Sequence, residues 1–69
     1  MTQRERILRH LREVGSITNA EAMYEYGIGH LASRISEMRQ EGLPIVSTME
    51  TSKNRYGEKV SYSRYRLEA

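Results

Sequence analysis

The chain has 69 residues, with 11 basic side chains, 9 acidic ones and no cysteine. That is the size of one small domain, and it excludes disulfides and thiolate metal sites, so a reducing, cytoplasmic setting is the expectation. No apolar run approaches the roughly 18 residues of a membrane helix, and the polar opening "MTQRERILRHL" does not read as a signal peptide.

The first helix is expected over residues 2–14. Thr2 and Glu5 have the spacing of a capping box, in which the hydroxyl and the carboxylate each take a backbone N–H of the other residue. Ile7, Leu8, Leu11 and Val14 fall on one helical stripe, and Gly15 suits the stop after it. Ile17 stands alone between polar residues and suggests one short strand contact. Thr18 and Glu21 repeat the capping box and open a short helix over about residues 19–26. Its inner face is read as Ala22, Met23 and Tyr26, and Gly27 ends it.

Ile28, between Gly27 and Gly29, is expected to plug the core. The third helix runs from about His30 to Glu41, with Leu31, Ile35 and Met38 in a narrow buried arc. Gly42 then suits the left-handed position after a helix, Leu43 would touch Met38, and Pro44 prevents continuation. Residues 45–51 and 59–67 are rich in β-branched and aromatic side chains and read as two strands. The polar "SKNRYGE" between them reads as a hairpin loop. Alternation puts Tyr65 and Leu67 on the core side of the last strand, with Arg64 and Arg66 outward. The order is helix, brief strand, helix, helix, hairpin. It is the order of an α+β, three-helix winged helix-turn-helix with a C-terminal β-hairpin wing, forming a single domain over residues 1–69.

Charge is unevenly spread. Residues 1–41 hold six arginines against six glutamates, and residues 42–69 hold five bases against three acids. Nine of the 11 bases are arginine, whose planar fork suits phosphates and base edges. Opposite the apolar arc of the third helix lie His30, Ser33, Glu37 and Gln40, with Arg34 and Ser36 on the flanks. Arginine pairs with guanine, glutamine with adenine, and a glutamate accepts from cytosine. The same face also fits an ordinary solvated helix surface. The hairpin adds Lys53, Asn54 and Arg55 at its tip and Lys59 beyond, so two contact regions suit one groove and its flanking backbone. The start of the second helix, Thr18 to Ala20, offers free backbone N–H groups for a phosphate.

Catalysis finds no constellation. His10 and His30 lack cysteine or carboxylate companions at ligand spacing, and each reads as a surface or capping residue. "GIG" is too short for a phosphate loop and lies between helices rather than after a strand. No enzyme activity and no cofactor are expected.

Three stretches carry a resemblance: "TQRERILRHLREVGSITNAEA", "YGIGHLASRISEMRQEGLPI" and "NRYGEKVSYSRYRL". Together they run from Thr2 to Leu67, and the chain resembles the small winged helix-turn-helix family common in phage and prophage proteins. The resemblance implies a third helix that recognises double-stranded DNA, with Ser33, Arg34, Glu37 and Gln40 toward the major groove. It implies a wing tip at Lys53, Asn54 and Arg55. The expected function is transcriptional regulation or an architectural role on DNA, as a monomer or homodimer. A second reading is a module that binds a host protein. It draws on the acids near the helix pair and on an outward apolar set of Val46, Val60 and Tyr62.

Overall fold

The computed structural model describes residues 1–68. The elements are α1 (Gln3–Glu13), β1 (Ile17–Thr18), α2 (Asn19–Tyr26), α3 (Leu31–Gln40), β2 (Ile45–Lys53) and β3 (Lys59–Leu67). The strands form one antiparallel sheet in the order β1-β3-β2. The α+β order read from the sequence is the order observed. The helix ends lie within a residue of expectation, and β2 runs two residues further, to Lys53.

Local chemistry explains most boundaries. Both capping boxes form: the Thr2 hydroxyl accepts the Glu5 N–H and the Glu5 carboxylate accepts the Thr2 N–H, as Thr18 and Glu21 do for α2. The Glu5 carboxyl is held below the usual carboxylate range, chiefly by the Thr2 backbone hydrogen bond. At the far end of α3, Gly42 adopts a φ of 97°, which an L side chain resists. Its N–H donates to the Arg39 carbonyl at 3.0 Å, and the Leu43 N–H donates to the Met38 carbonyl at 3.1 Å. This is the double closure that stops a helix and folds the next apolar residue back on it. Leu43 accordingly packs against the core.

The core joins all six elements through Ile7, Leu11, Ile17, Ala22, Ile28, Leu31, Ile35, Met38, Ile45 and Tyr65. Ile28 is the plug the sequence suggested, buried beside the left-handed Gly27. Three expectations are corrected. Val14 is 65% exposed, because α1 ends at Glu13 and the chain turns away before the stripe repeats. His10, read as a surface or capping residue, is 8% exposed instead. It lies on the Ile7–Leu11 arc, and its Nδ1 meets the Tyr26 hydroxyl at 2.8 Å, which gives the buried imidazole a partner on α2. Met23 is 54% exposed, because an eight-residue helix buries a narrow face and Ala22 and Tyr26 fill it.

Two arginines tie the layers together. Arg64, expected outward, is on the sheet face away from Tyr65 but has only a 24% exposed side chain. Its Nε donates to Glu50 at 2.9 Å and its Nη1 to the Ser16 hydroxyl at 3.0 Å, with the Glu21 carboxylate at 3.5 Å. One guanidinium thus joins β3, β2, the approach to β1 and the cap of α2. The hydrogen bond from Arg64 holds the Glu50 carboxyl below the usual carboxylate range. A carboxyl lowered on folding stabilises the fold above its unfolded pKa, and that contribution fades as pH falls through the lowered value. Urea melts of Glu50→Gln across the acid range should therefore show a flatter decline than the unaltered chain, with the difference between them largest near neutral pH.

Arg39 makes the second tie. Its Nε donates to the Ile45 carbonyl at 2.9 Å, and its guanidinium carbon lies 5.9 Å from the Tyr65 ring centroid. The register adds one more feature. The Glu68 N–H bonds to Pro44 and the Asn54 N–H bonds to Glu58, so the even residues of β2 face β3. Ser47, Met49 and Thr51 therefore turn their backbone groups to an open edge.

Candidate nucleic-acid interface

α3 divides cleanly. Leu31, Ile35 and Met38 are buried, whereas Ala32, Ser33, Ser36, Glu37 and Gln40 are exposed and Arg34 is half-buried. His30 is exposed at the N-cap of α3, but its side chain makes no capping bond. α1 and α2 each carry a glutamate in a capping box at their first turn; α3 carries none. The positive end of the α3 dipole is thus left without a carboxylate of its own. This contrast is readable in the sequence, because "HLAS" lacks the Thr-x-x-Glu spacing of "TQRE" and "TNAE".

On the exposed face one pair forms. Arg34 Nη1 donates to both Glu37 carboxylate oxygens, at 2.9 and 3.3 Å. Arg34 Nε is buried without a partner. Ser33 and Gln40 make no side-chain hydrogen bond among the described residues, so their donors and acceptors remain open to an incoming ligand.

The hairpin is built by Asn54. Its side-chain oxygen accepts the Tyr56 N–H at 2.9 Å and the Glu58 N–H at 3.1 Å, while its amide nitrogen lies 3.4 Å from the Glu58 carboxylate. The Gly57 N–H returns to the Asn54 carbonyl at 3.0 Å, and Gly57 has a φ of 78°. A turn of this kind needs Asn or Asp first and a left-handed residue last. Asn54 is exposed, and its side-chain oxygen is committed to the turn. Lys53 is also not in the loop. It forms the last rung of the ladder, directly opposite Lys59.

Like charges on one rung repel. Lys53, Arg55 and Lys59 are all exposed, and none forms a salt bridge among the described residues. The end of the hairpin thus gathers three cations, and the acid nearest to Arg55 and Lys59 in sequence, Glu58, faces Asn54. Elsewhere four arginines are engaged internally: Arg4 with Glu41 at 2.8 Å, Arg9 with Glu13 at 3.0 Å, and Arg39 and Arg64 in the ties described above, whereas Arg6, Arg12 and Arg66 are exposed and, like the hairpin cations, form no salt bridge among the described residues. No hydrogen bond or ion pair joins the α3 set to the hairpin set among the described residues.

A cleft of about 340 Å³ lies at the start of α2, lined by Thr18, Asn19, Ala20, Tyr62 and Arg64. Its one cation, Arg64, is already held by Glu50, and the Thr18 N–H is taken by Glu21. The apolar set that a protein partner would use is smaller than its sequence pattern implies, because Val46 and Tyr62 are half-buried and only Val60 stands exposed. Among the described residues no group of three or more His, Asp or Glu side chains could hold a metal ion. Among the described residues no helix is long and apolar enough to cross a membrane.

No curated protein and no solved structure matches the chain. A family model does: the one for the winged helix-turn-helix domain matches residues 2–69. That fold is typically a non-enzymatic DNA-binding one. With three helices and a three-stranded antiparallel sheet that includes the β2–β3 hairpin among the described residues, this protein belongs to the winged helix-turn-helix domain family.

Proposed function

We propose that the chain binds double-stranded DNA as a transcriptional regulator or architectural factor of the phage type, through one winged-helix unit spanning residues 1–69. α3 enters the major groove with Ser33, Arg34, Glu37 and Gln40 toward the base edges and His30 at the near backbone. The hairpin meets the flanking backbone or minor groove through Lys53, Arg55 and Lys59. Asn54 shapes that hairpin more than it contacts the duplex.

The observation that carries this reading is the unneutralised cation group at the hairpin end. Lys53 faces Lys59 across one rung, beside Arg55, with no salt bridge to any of the three among the described residues. Such a rung lowers the stability of the free hairpin and is relieved by an anion between the strands' ends. Phosphate backbones supply that anion at regular spacing, and binding to them weakens as salt rises because condensed counterions are released. The outer face of α3, polar apart from the small Ala32, supplies the matching element for base contact.

Fluorescence anisotropy of a labelled random duplex, titrated at two salt concentrations, tests the reading. Binding at low salt that falls steeply at high salt supports it. Absence of binding at low salt overturns it and turns attention to a protein partner.

A further inference from the structure

We infer that Glu37 is the positioning residue that makes Arg34 a selective reader of guanine, so that the two side chains act as one unit. This inference rests on the DNA-binding reading given above. Both oxygens of the Glu37 carboxylate lie on a single nitrogen of Arg34, Nη1, at 2.9 and 3.3 Å. Nε is buried and has no partner. Nη2 donates to no described residue. The guanidinium is therefore held through Nη1, while the side chain stays 40% exposed and Nη2 is left uncommitted. An arginine reads guanine by presenting two parallel N–H groups to O6 and N7. A guanidinium already fixed in place gives up less side-chain freedom when it does so.

The pair is set against the helix rather than for it. Carboxylates favour the first turn of a helix and cations the last. Glu37 lies in the last turn of α3 and Arg34 near its start, the weaker order for an ion pair along a helix. Arg34 and Glu37 are also 40% and 60% exposed, so the pair adds little to stability. Glu37 is the one acid within α3, on the face that would approach a polyanion. A carboxylate there opposes phosphate, so its benefit has to come from selectivity. Paired with Arg34 it makes a net-neutral reader, which contributes little to binding on any duplex and acts on the choice of base.

That division gives opposite signs to two measurable quantities. Removing the Glu37 charge should tighten binding to random DNA while loosening the choice at one base pair. The experiment selects a preferred site from a random duplex pool with the unaltered chain. It then measures competition by duplexes carrying each single base-pair change, for Arg34→Ala, Glu37→Gln and the double variant. Thermal melts by circular dichroism accompany each variant to show that the fold is kept.

The expected result is that Arg34→Ala loses about tenfold discrimination at one G·C pair, the low end of what one bidentate base contact provides. Glu37→Gln should lose most of that discrimination at the same pair and bind random duplex more tightly. The double variant should lose no more than Arg34→Ala alone. If Arg34→Ala loses discrimination and Glu37→Gln keeps it, the positioning role is overturned and the DNA reading stands. The role is overturned equally if Glu37→Gln loses discrimination at a different pair, since Glu37 then reads a base by itself. If a site is selected but Arg34→Ala discriminates as before, the unit is overturned and other α3 residues carry the choice. If no duplex is bound at all, this inference and the function it rests on fall together.

Discussion

Replacing Lys53, Arg55 and Lys59 together with alanine should weaken binding to all duplexes alike, by about two orders of magnitude at roughly 0.1 M salt. Each phosphate that is no longer neutralised takes about 0.9 off the slope of log K against log salt, so three of them make the line shallower by nearly three units. The variant should melt at or above the temperature of the unaltered chain, because it abolishes the like-charge rung between Lys53 and Lys59. This combination distinguishes a contact role from a folding role: affinity falls while stability holds. Anisotropy titrations at four or more salt concentrations measure the slope. An unchanged slope would remove the hairpin from the interface.

Replacing Ile35 with alanine should do the reverse. Ile35 is 1% exposed and sits in the buried arc of α3, beneath the proposed reading face. Truncating a buried isoleucine costs about 2–5 kcal/mol, through the apolar burial removed and the cavity left behind. In a domain of this size each kcal/mol shifts the melting temperature by about 4–8 °C, so a fall of roughly 8–40 °C is expected. Calorimetry or circular dichroism measures it. DNA binding should fail only where the variant is unfolded and return on cooling, with an unaltered salt slope. A variant that melts normally would show that the core does not depend on this arc.

Most of the fold is legible in the sequence because its signals are local. The two Thr-x-x-Glu boxes, the glycines after α2 and α3, and Pro44 act within a few residues of the boundaries they set. The alternation in β3 places Tyr65 inward for the same reason. What the sequence hides depends on partners distant along the chain. His10 sits on the buried arc by angle alone, but the hydrogen bond to its Nδ1 comes from Tyr26, 16 residues on. Arg64 has the pattern of a solvated strand residue, yet Ser16, 48 positions away, comes beneath it. In the candidate site the polar residues of α3 and the basic hairpin are readable as types. Their state is not. Whether Arg34 stands free or is held by Glu37, and whether Asn54 reaches out or folds back, depends on rotamers that residue identity does not set.

On the DNA-binding reading proposed above, the tie made by Arg39 also bears on the DNA. Its side chain grips the first residue of β2 from the last turn of α3 and lies over a ring of β3. The last turn of α3 is therefore fixed to the base of the hairpin, eight residues along β2 from the Lys53 rung, like the hinge end of a caliper whose jaws are the helix and the hairpin tip. A duplex gripped by both jaws has to meet that gauge. Stretches of sequence whose groove width already matches fit without strain, and stiffer or wider ones have to be deformed at an energetic cost. The protein would then prefer some sequences at positions that none of its side chains touch. Loosening the jaws with Arg39→Lys, which keeps the charge but not the planar fork, should erase that preference while leaving base contacts in place.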